Sequence, residues 1–363
     1  MIYLYVIFCF LILRFTVTLF NFISNPKLTH SGKHYNDLVS ILIPVRDEED
    51  DILNLLESIQ KQDYKSFEVI ILDDSSKDRT VEICEDFTLK DSRFILFKGN
   101  ILPKGWLGKN FACDQLGKLA NGKYLIFLDA DEIIKTGLIH NAVHRMKMNQ
   151  LSLLSLFTNQ IMDSLGERIV VPLMHFLLLN LLPLRLIRLS NNPAFSAASG
   201  QFMMFNAQNY HENKWHQQVQ NKVVEDVEIM KLIKKRGYKG ESLLGNGFIF
   251  CRMYKSLNEA VHGFSKNLLA GFNYNVFGLL LYLILVMSGP FAIAYLIGSA
   301  LLPIALSLII LSRVMISLSS GQNAFWNLLL HPVQMLVLVY ISAISIQKHF
   351  TRRISWKGRI INP

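Results

Sequence analysis

The 363-residue chain carries 37 Lys and Arg against 28 Asp and Glu, a formal charge of +9, and 51% of its residues are hydrophobic. A positive excess of this size suits nucleic acid or an anionic membrane surface, and the long uncharged apolar runs described below favour the bilayer and exclude nucleic acid. Cys9, Cys84, Cys113 and Cys251 are scattered without CxxC or another metal-ligand spacing, so they read as free cytosolic thiols.

The chain begins with "MIYLYVIFCFLILRFTVTLFNFI". This stretch has neither the basic start nor the small-residue cleavage site of a secretory signal, so residues 1–24 are expected to remain as a transmembrane anchor. Lys27, His30, Lys33 and His34 follow it and nothing basic precedes it. The positive-inside rule then places the chain after residue 25 in the cytoplasm. Arg14, inside the anchor, requires either a partner on another span or an interfacial position.

Residues 39–250 read as the soluble domain. "VSILIPV" (39–45), "FEVIILDD" (67–74), "RFILFKG" (93–99) and "KYLIFLDAD" (123–131) are apolar runs that end in polar loops. Helical periodicity separates them, in "EEDDILNLLESIQ" and "DRTVEICEDFTLK". Strands alternating with helices and buried on both faces predict an α/β domain with a mostly parallel sheet. Ligands of such sheets bind beyond the carboxyl ends of the strands, and here those ends are "RDEED", "DDSSKD" and "DADE". All three are acidic, which marks a site.

Asp129 and Asp131 flank a small residue, so both carboxylates can face one point beyond the strand. Hard divalent cations, Mg²⁺ or Mn²⁺, bind through one or two carboxylates together with substrate phosphate oxygens. "KGWLGKN" (104–110) looks like a phosphate loop but has Pro at 103 and Asn at 110 where a P-loop needs Gly and Ser or Thr. Lys104 or Lys109 can still neutralise a phosphate, or form an exposed basic turn. Residues 169–192, apolar but broken by Pro172 and Pro183 and carrying Arg185 and Arg188, are read as an interfacial helix or a buried core segment. In "VVEDVEIMKLIKKRGYK" (223–239), Glu225 and Asp226 open a helix, where acids suit the helix dipole. A general base there must project into the cleft.

From Asn267 to Ser312 there is no charged residue, and after Arg313 none recurs until Lys348. A span needs about 20 apolar residues, so 267–347 holds two or three, near 275–296, 298–318 and 327–347. Residues 348–363 form a basic tail that favours the cytoplasmic side. Three full spans would carry it outside, so one of them is expected to be re-entrant or interfacial, within 267–296 or by another division of 267–318.

Taken in order, "PVRDEE", "DDSSKDRT", "DADE", "SGQFMMF" and "VED" resemble the motifs of family-two inverting glycosyltransferases with the GT-A fold. The resemblance covers about residues 39–250. The membrane segments and "GWLGKN" look most like enzymes that glycosylate membrane lipids, such as carotenoid-acid (diaponeurosporenoate-type), hopanoid-associated and ceramide glucosyltransferases. It implies that Pro44, Arg46 and Glu48 belong to the first nucleotide loop, with Asp47 standing where the family usually has Asn. It implies that Asp73 and Asp74 match the acid pair at the base, and that Asp129 and Asp131 match the metal-binding DXD group. Gly200 and Gln201 fall in the loop lining sugar and acceptor, and Asp226 matches the catalytic base, with Glu225 beside it. Lys109 and Arg252 are the candidate cations for the diphosphate. The QxxRW motif of processive synthases is absent, and "CRMYKS" (251–256) occupies its place.

The expectation is therefore a multi-pass cytoplasmic-membrane enzyme whose catalytic domain faces the cytoplasm. It would transfer one sugar from a nucleotide-sugar, a UDP-linked hexose, to a membrane lipid with the help of Mg²⁺ or Mn²⁺. The alternatives are a polyprenyl-phosphate sugar transferase and a catalytically silent membrane transport or scaffold protein.

Overall fold

The computed structural model describes residues 2–296, 301–351, 354–356 and 359–361. Met1 of the expected anchor, positions 297–300 of the expected spans, and Arg352, Arg353, Lys357, Gly358, Asn362 and Pro363 of the basic tail lie outside the described residues. The main sheet is built from β1 (Val39–Val45), β2 (Phe67–Asp73), β3 (Phe94–Lys98), β4 (Tyr124–Leu128), β6 (Leu153–Phe157), β8 (Phe202–Asn206) and β9 (Gly240–Leu244). Their order is β3-β2-β1-β4-β8-β6-β9. Every neighbouring pair is parallel except those involving β8, which runs antiparallel to β4 and β6. A small second sheet joins β5 (Glu132–Ile134), β7 (Asn159–Gln160) and β10 (Ile249–Cys251) in the order β5-β10-β7.

The β-branched run of β1 follows from burial on both faces. Ile41 and Ile43 pack with Leu55, Leu56 and Ile59 of the helix Ile52–Gln60. Leu42, pointing the other way, packs with Ala112 and Leu116 of the helix Gly108–Leu119. Each such fully buried aliphatic side chain stabilises the fold by about 1.5–3 kcal/mol. The parallel arrangement brings the carboxyl ends of β1, β2 and β4 to one edge, and the three acidic loops with them.

The stretch 169–192 is three short helices rather than one, spanning Leu165–Val170, Pro172–Leu181 and Arg185–Leu189. Leu173, Phe176 and Leu179 are buried in the main core cluster. Arg188 lies 3.0 Å from Glu241, a buried carboxylate that also receives two 2.6 Å bonds from Arg145, and Arg185 stands 4.0 Å away. These arginines therefore face an internal acid. Glu241→Ala leaves this cationic cluster without its acid, and we expect a loss of about 3–5 kcal/mol. Chemical denaturation in detergent measures it, and a loss under about 1 kcal/mol, the range of an exposed pair, would remove the ion cluster from the fold's essential contacts.

Among the described residues, three helices are long and apolar enough to cross a bilayer: Tyr5–Ser24, Leu302–Ser320 and His331–Thr351. A fourth candidate is the pair Leu257–Gly271 and Val276–Gly289, bent by 110°. The bend falls at Asn273 and Tyr274, both in left-handed backbone (φ 53° and 59°), and Asn275 Oδ1 then accepts from Gly278 N at 2.9 Å to start the second arm. At the far end of the last helix, Lys348 Nζ donates to Ser265 Oγ at 2.6 Å and to His262 O at 3.3 Å, and the His349 ring stacks on Tyr274. The C-terminal end of this helix is thus tied to the helix Leu257–Gly271. We expect a cysteine at Thr351, in a chain stripped of native cysteines, to react with an impermeant thiol reagent only when a cysteine at exposed Lys90 also does. Labelling of intact cells at 351 alone would separate the two ends of the chain across the membrane.

Candidate active site

The first loop of the site is stitched to the second through backbone groups. Glu48 N donates to Thr80 Oγ1 (2.8 Å), Lys77 N to Asp47 Oδ1 (2.8 Å), and Asp47 N to Ser76 Oγ (3.0 Å). Asp47 sits at φ 51°, a conformation that Asn and Asp tolerate better than bulkier residues. Arg46 donates from Nη1 to Asp74 O (2.8 Å) and stands 3.7 Å from the Asp74 carboxylate. Asp73 Oδ1 accepts from Ser76 N at 3.1 Å. The two loops are therefore held to each other.

Lys109, in the first turn of Gly108–Leu119, lies 2.7 Å from Asp129 Oδ1 and 2.8 Å from Oδ2. It also lies 3.7 Å from Glu225 Oε1. Burial works against its charge, but Asp129 and Glu225 outweigh burial and hold its pKa well above the ordinary lysine value. Gly200 N donates to Asp226 Oδ2 at 2.8 Å, and Val227 N donates to Oδ1 at 2.7 Å. A Cβ on Gly200 would stand 3.2 Å from Glu225 Oε1 and 3.3 Å from Lys109 Nζ, so a larger residue there would make these two side chains shift by a few tenths of an ångström. Asp129, Lys109, Gly200, Glu225 and Asp226 thus form one connected cluster, drawn from four separate segments. Burial raises the pKa of Asp226, and burial pushes Glu225 up to about 7 against the opposing pull of Lys109.

Asp131 belongs to a second group. Cys251 Sγ donates to its Oδ2 at 3.2 Å, and ligand atoms of Asp131, Glu132 and Cys251 lie within 4.8 Å of one another. Register explains this, because β10 pairs with β5 so that Cys251 faces Glu132. Both Glu132 oxygens are fully buried, with the Cys251 thiol beside them. Burial, and then the charge of Asp129, pushes Asp131 up to about 6, and Glu132 is raised well above the usual carboxylate range by burial and Asp131. Two adjoining carboxylates, Asp131 and Glu132, beside the charge of Asp129 fit a divalent cation with oxygen ligands.

A cleft of about 840 Å³ opens beside the two groups, and Glu132, Glu225, Asp226 and Cys251 are not among the residues that line it. Pro44, Arg46, Glu48, Asp74, Lys109, Asp129, Asp131 and Arg252 all line it. Asp73 is buried beneath the second loop, and Gln201 turns inward, accepting from Thr158 Oγ1 at 2.9 Å. Gly200, Glu225 and Asp226 join the cleft residues through Lys109. Arg252 is held by Asp163 (3.1 Å) and Glu167 (2.9 Å) at the wall. The opposite wall is Tyr254, His262 and Lys266, around and within the helix that leads into the apolar region. Sequence reasoning missed this wall and the Cys251–Glu132 contact. The contact depends on pairing two strands more than a hundred residues apart, for which no local spacing exists.

The solved mannosyltransferase PcManGT from Pyrobaculum calidifontis, in complex with GDP-Man and Mn²⁺, superposes with a TM-score of 0.54 over 95% of this chain and 98% of its own, at 15% identity. The fold is GT-A-like, as the strand order and the antiparallel β8 also have it. Residues 40–213 match the family model of Glycosyl transferase family 2, and the chain carries a glycosyltransferase family 2 domain. A 4,4'-diaponeurosporenoate glycosyltransferase of Staphylococcus haemolyticus is 25% identical over 351 aligned positions, which cover 88% of each chain. A UDP-Glc:alpha-D-GlcNAc-diphosphoundecaprenol beta-1,3-glucosyltransferase of Escherichia coli is 38% identical over 115 residues, 32% of this chain and 43% of that protein's length.

Proposed function

We propose that this protein is a membrane-bound, inverting glycosyltransferase that moves one hexose from a UDP-linked donor to a lipid acceptor. The observation that carries the reading is the convergence of Asp129, Lys109, Glu225 and Asp226 beside a cleft whose other wall continues into apolar helices. Similarity along 88% of the chain to an enzyme named for a carotenoid acid supports a membrane-lipid acceptor. The basic segment after the first helix supports a cytoplasmic site in the cell membrane.

In this reading Glu48, Asp73 and Asp74 hold the nucleoside, and Arg46 keeps their two loops in register. Asp129 and Asp131 hold Mg²⁺ or Mn²⁺, which when bound neutralises charge developing on the departing diphosphate. Lys109, already neutralising Asp129, adds a fixed positive charge near the same point. Asp226, oriented by Gly200 N and Val227 N, takes the acceptor proton as the hydroxyl attacks the anomeric carbon from the face opposite the leaving group. For an acceptor that is already a carboxylate, Asp226 positions it instead. Gly200 and Gln201 shape the floor under the sugar. Arg252 guards the acceptor side, held off the diphosphate by Asp163 and Glu167 until substrates compete for it.

The lipid-carrier acceptor of the E. coli relative favours a second reading, transfer to a polyprenyl-linked acceptor with the same donor machinery. The test incubates membranes containing the protein with a panel of nucleotide-sugars and identifies glycosylated lipids by mass spectrometry. A new glycolipid that requires the protein supports transfer, and its lipid part separates the two readings. Nucleotide-sugar binding with no product from any lipid extract would leave a silent binding protein.

A further inference from the structure

A second polar cluster lies away from the cleft, inside the bundle of apolar helices. Arg14, midway along the N-terminal helix, donates from Nε to Asn180 Oδ1 at 3.3 Å, and its guanidinium lies 5.2 Å from the centroid of the Phe176 ring. Arg313, only 1% exposed, lies 4.8 Å from the same ring and donates to Asn327 O and Gln334 Oε1. All of these acceptors are neutral. The sequence offers no acid to pair with either arginine locally, because residues 1–36, 168–211 and everything beyond Glu259 lack Asp and Glu. Around the two guanidiniums, Arg313 Nη1 and His331 Nδ1 are buried without a hydrogen-bond partner among the described residues, and the buried Tyr282 hydroxyl has the neutral Asn180 amide beside it.

Two guanidiniums with unmet polar atoms in an apolar bundle need an anion. Buried charge is stable only when paired, and an ionisable group among membrane helices marks a site with a partner. A cavity of about 400 Å³ adjoins the cluster, with apolar walls and with Arg14, Asn180, Ser312 and His331 as polar lining; Arg313 does not line it but lies behind Phe176, which does. Leu306 and Leu336 on its rim are 42% and 63% exposed, so it opens sideways on the surface that meets lipid. We infer that this cavity binds a bilayer lipid through its anionic phosphate headgroup, with the chains leaving past Leu306 and Leu336. A guanidinium fork matches phosphate oxygens, and a phosphate presents more acceptor oxygens to the surrounding donors than a carboxylate does. The site is separate from the cleft and does not depend on the reaction proposed there.

The experiment strips the purified full chain of lipid in detergent and adds phosphatidate, phosphatidylcholine or oleate separately, counting bound lipid by native mass spectrometry. One phosphatidate should be retained about tenfold better than either of the others, the size expected from charge-assisted hydrogen bonds. Arg14→Gln should reduce phosphatidate to the level of phosphatidylcholine. Leu306→Trp, which fills the mouth and leaves both arginines in place, should do the same and decides the matter should Arg14→Gln fail to fold. Equal retention of phosphatidate and phosphatidylcholine, or a preference that survives the variants, overturns the site. Preference for oleate overturns the phosphate assignment.

Discussion

Asp226→Asn should lower turnover about 10² to 10⁴-fold with a hydroxyl acceptor, the usual contribution of a general base, while nucleotide-sugar binding persists. The substitution keeps the shape of the side chain and removes its ability to take a proton. It also sets an amide against Gly200 N or Val227 N, both of which now donate to the carboxylate. A thermal-unfolding measurement on the same sample therefore has to accompany the kinetics. Glu225 is the rival base, because its pKa near 7 poises it for proton transfer at neutrality. Yet Glu225 faces Lys109, 3.7 Å away, which commits it to the ion cluster. Glu225→Gln should consequently cost less than Asp226→Asn in single-turnover assays. The reverse order would move the proton transfer to Glu225.

Asp131→Asn should abolish most metal-stimulated transfer and leave the protein folded in the membrane. Strand β4 ends before it and β5 begins after it, so the change leaves both strands' own residues in place and alters only the contact with the Cys251 thiol and the charge beside Glu132. The lost charge also relieves Glu132, whose pKa Asp131 helps to raise, and this favours the fold. Chelation of the parent protein should give the same loss, restored by Mn²⁺ or Mg²⁺. Because Asp131 titrates near 6 in the metal-free protein, half-saturating metal concentration should rise as pH falls through that value, since protonation removes the ligand. Full activity in chelator-treated membranes would overturn the metal and leave the diphosphate to the chain's own cations, Lys109 first among them.

Strand positions were legible because burial on both faces leaves a local trace, as in Val39–Val45, where the apolar run and the strand coincide. The acidic loops were legible because parallel strands must deliver their carboxyl ends to one edge. The partner of Asp129 was not. A cation was expected there, and the chain supplies one of its own, Lys109, brought in by a helix that packs under β1. Nor was the fate of Arg185 and Arg188 legible, since in sequence an arginine on an apolar helix looks the same whether it meets a lipid headgroup or a buried Glu241. The bend at Asn273 and Tyr274 lies in the weakly apolar stretch that composition singled out, but its angle depends on two left-handed residues that hydropathy does not register.

The pairing of β5 with β10 has one more consequence. Its two strands lie between the loop of Asp131 and the segment that runs into the helix Leu257–Gly271, joined over three residue pairs from Ile249–Ile134 to Cys251–Glu132. In the proposed enzyme this short ladder acts as a depth gauge. It ties the Asp131 loop to the segment that enters this helix, and in that enzyme it would select an acceptor by the length of its polar end as well as by its chemistry. A lipid whose reactive group rises too little or too far misses the donor, however well its chains are held.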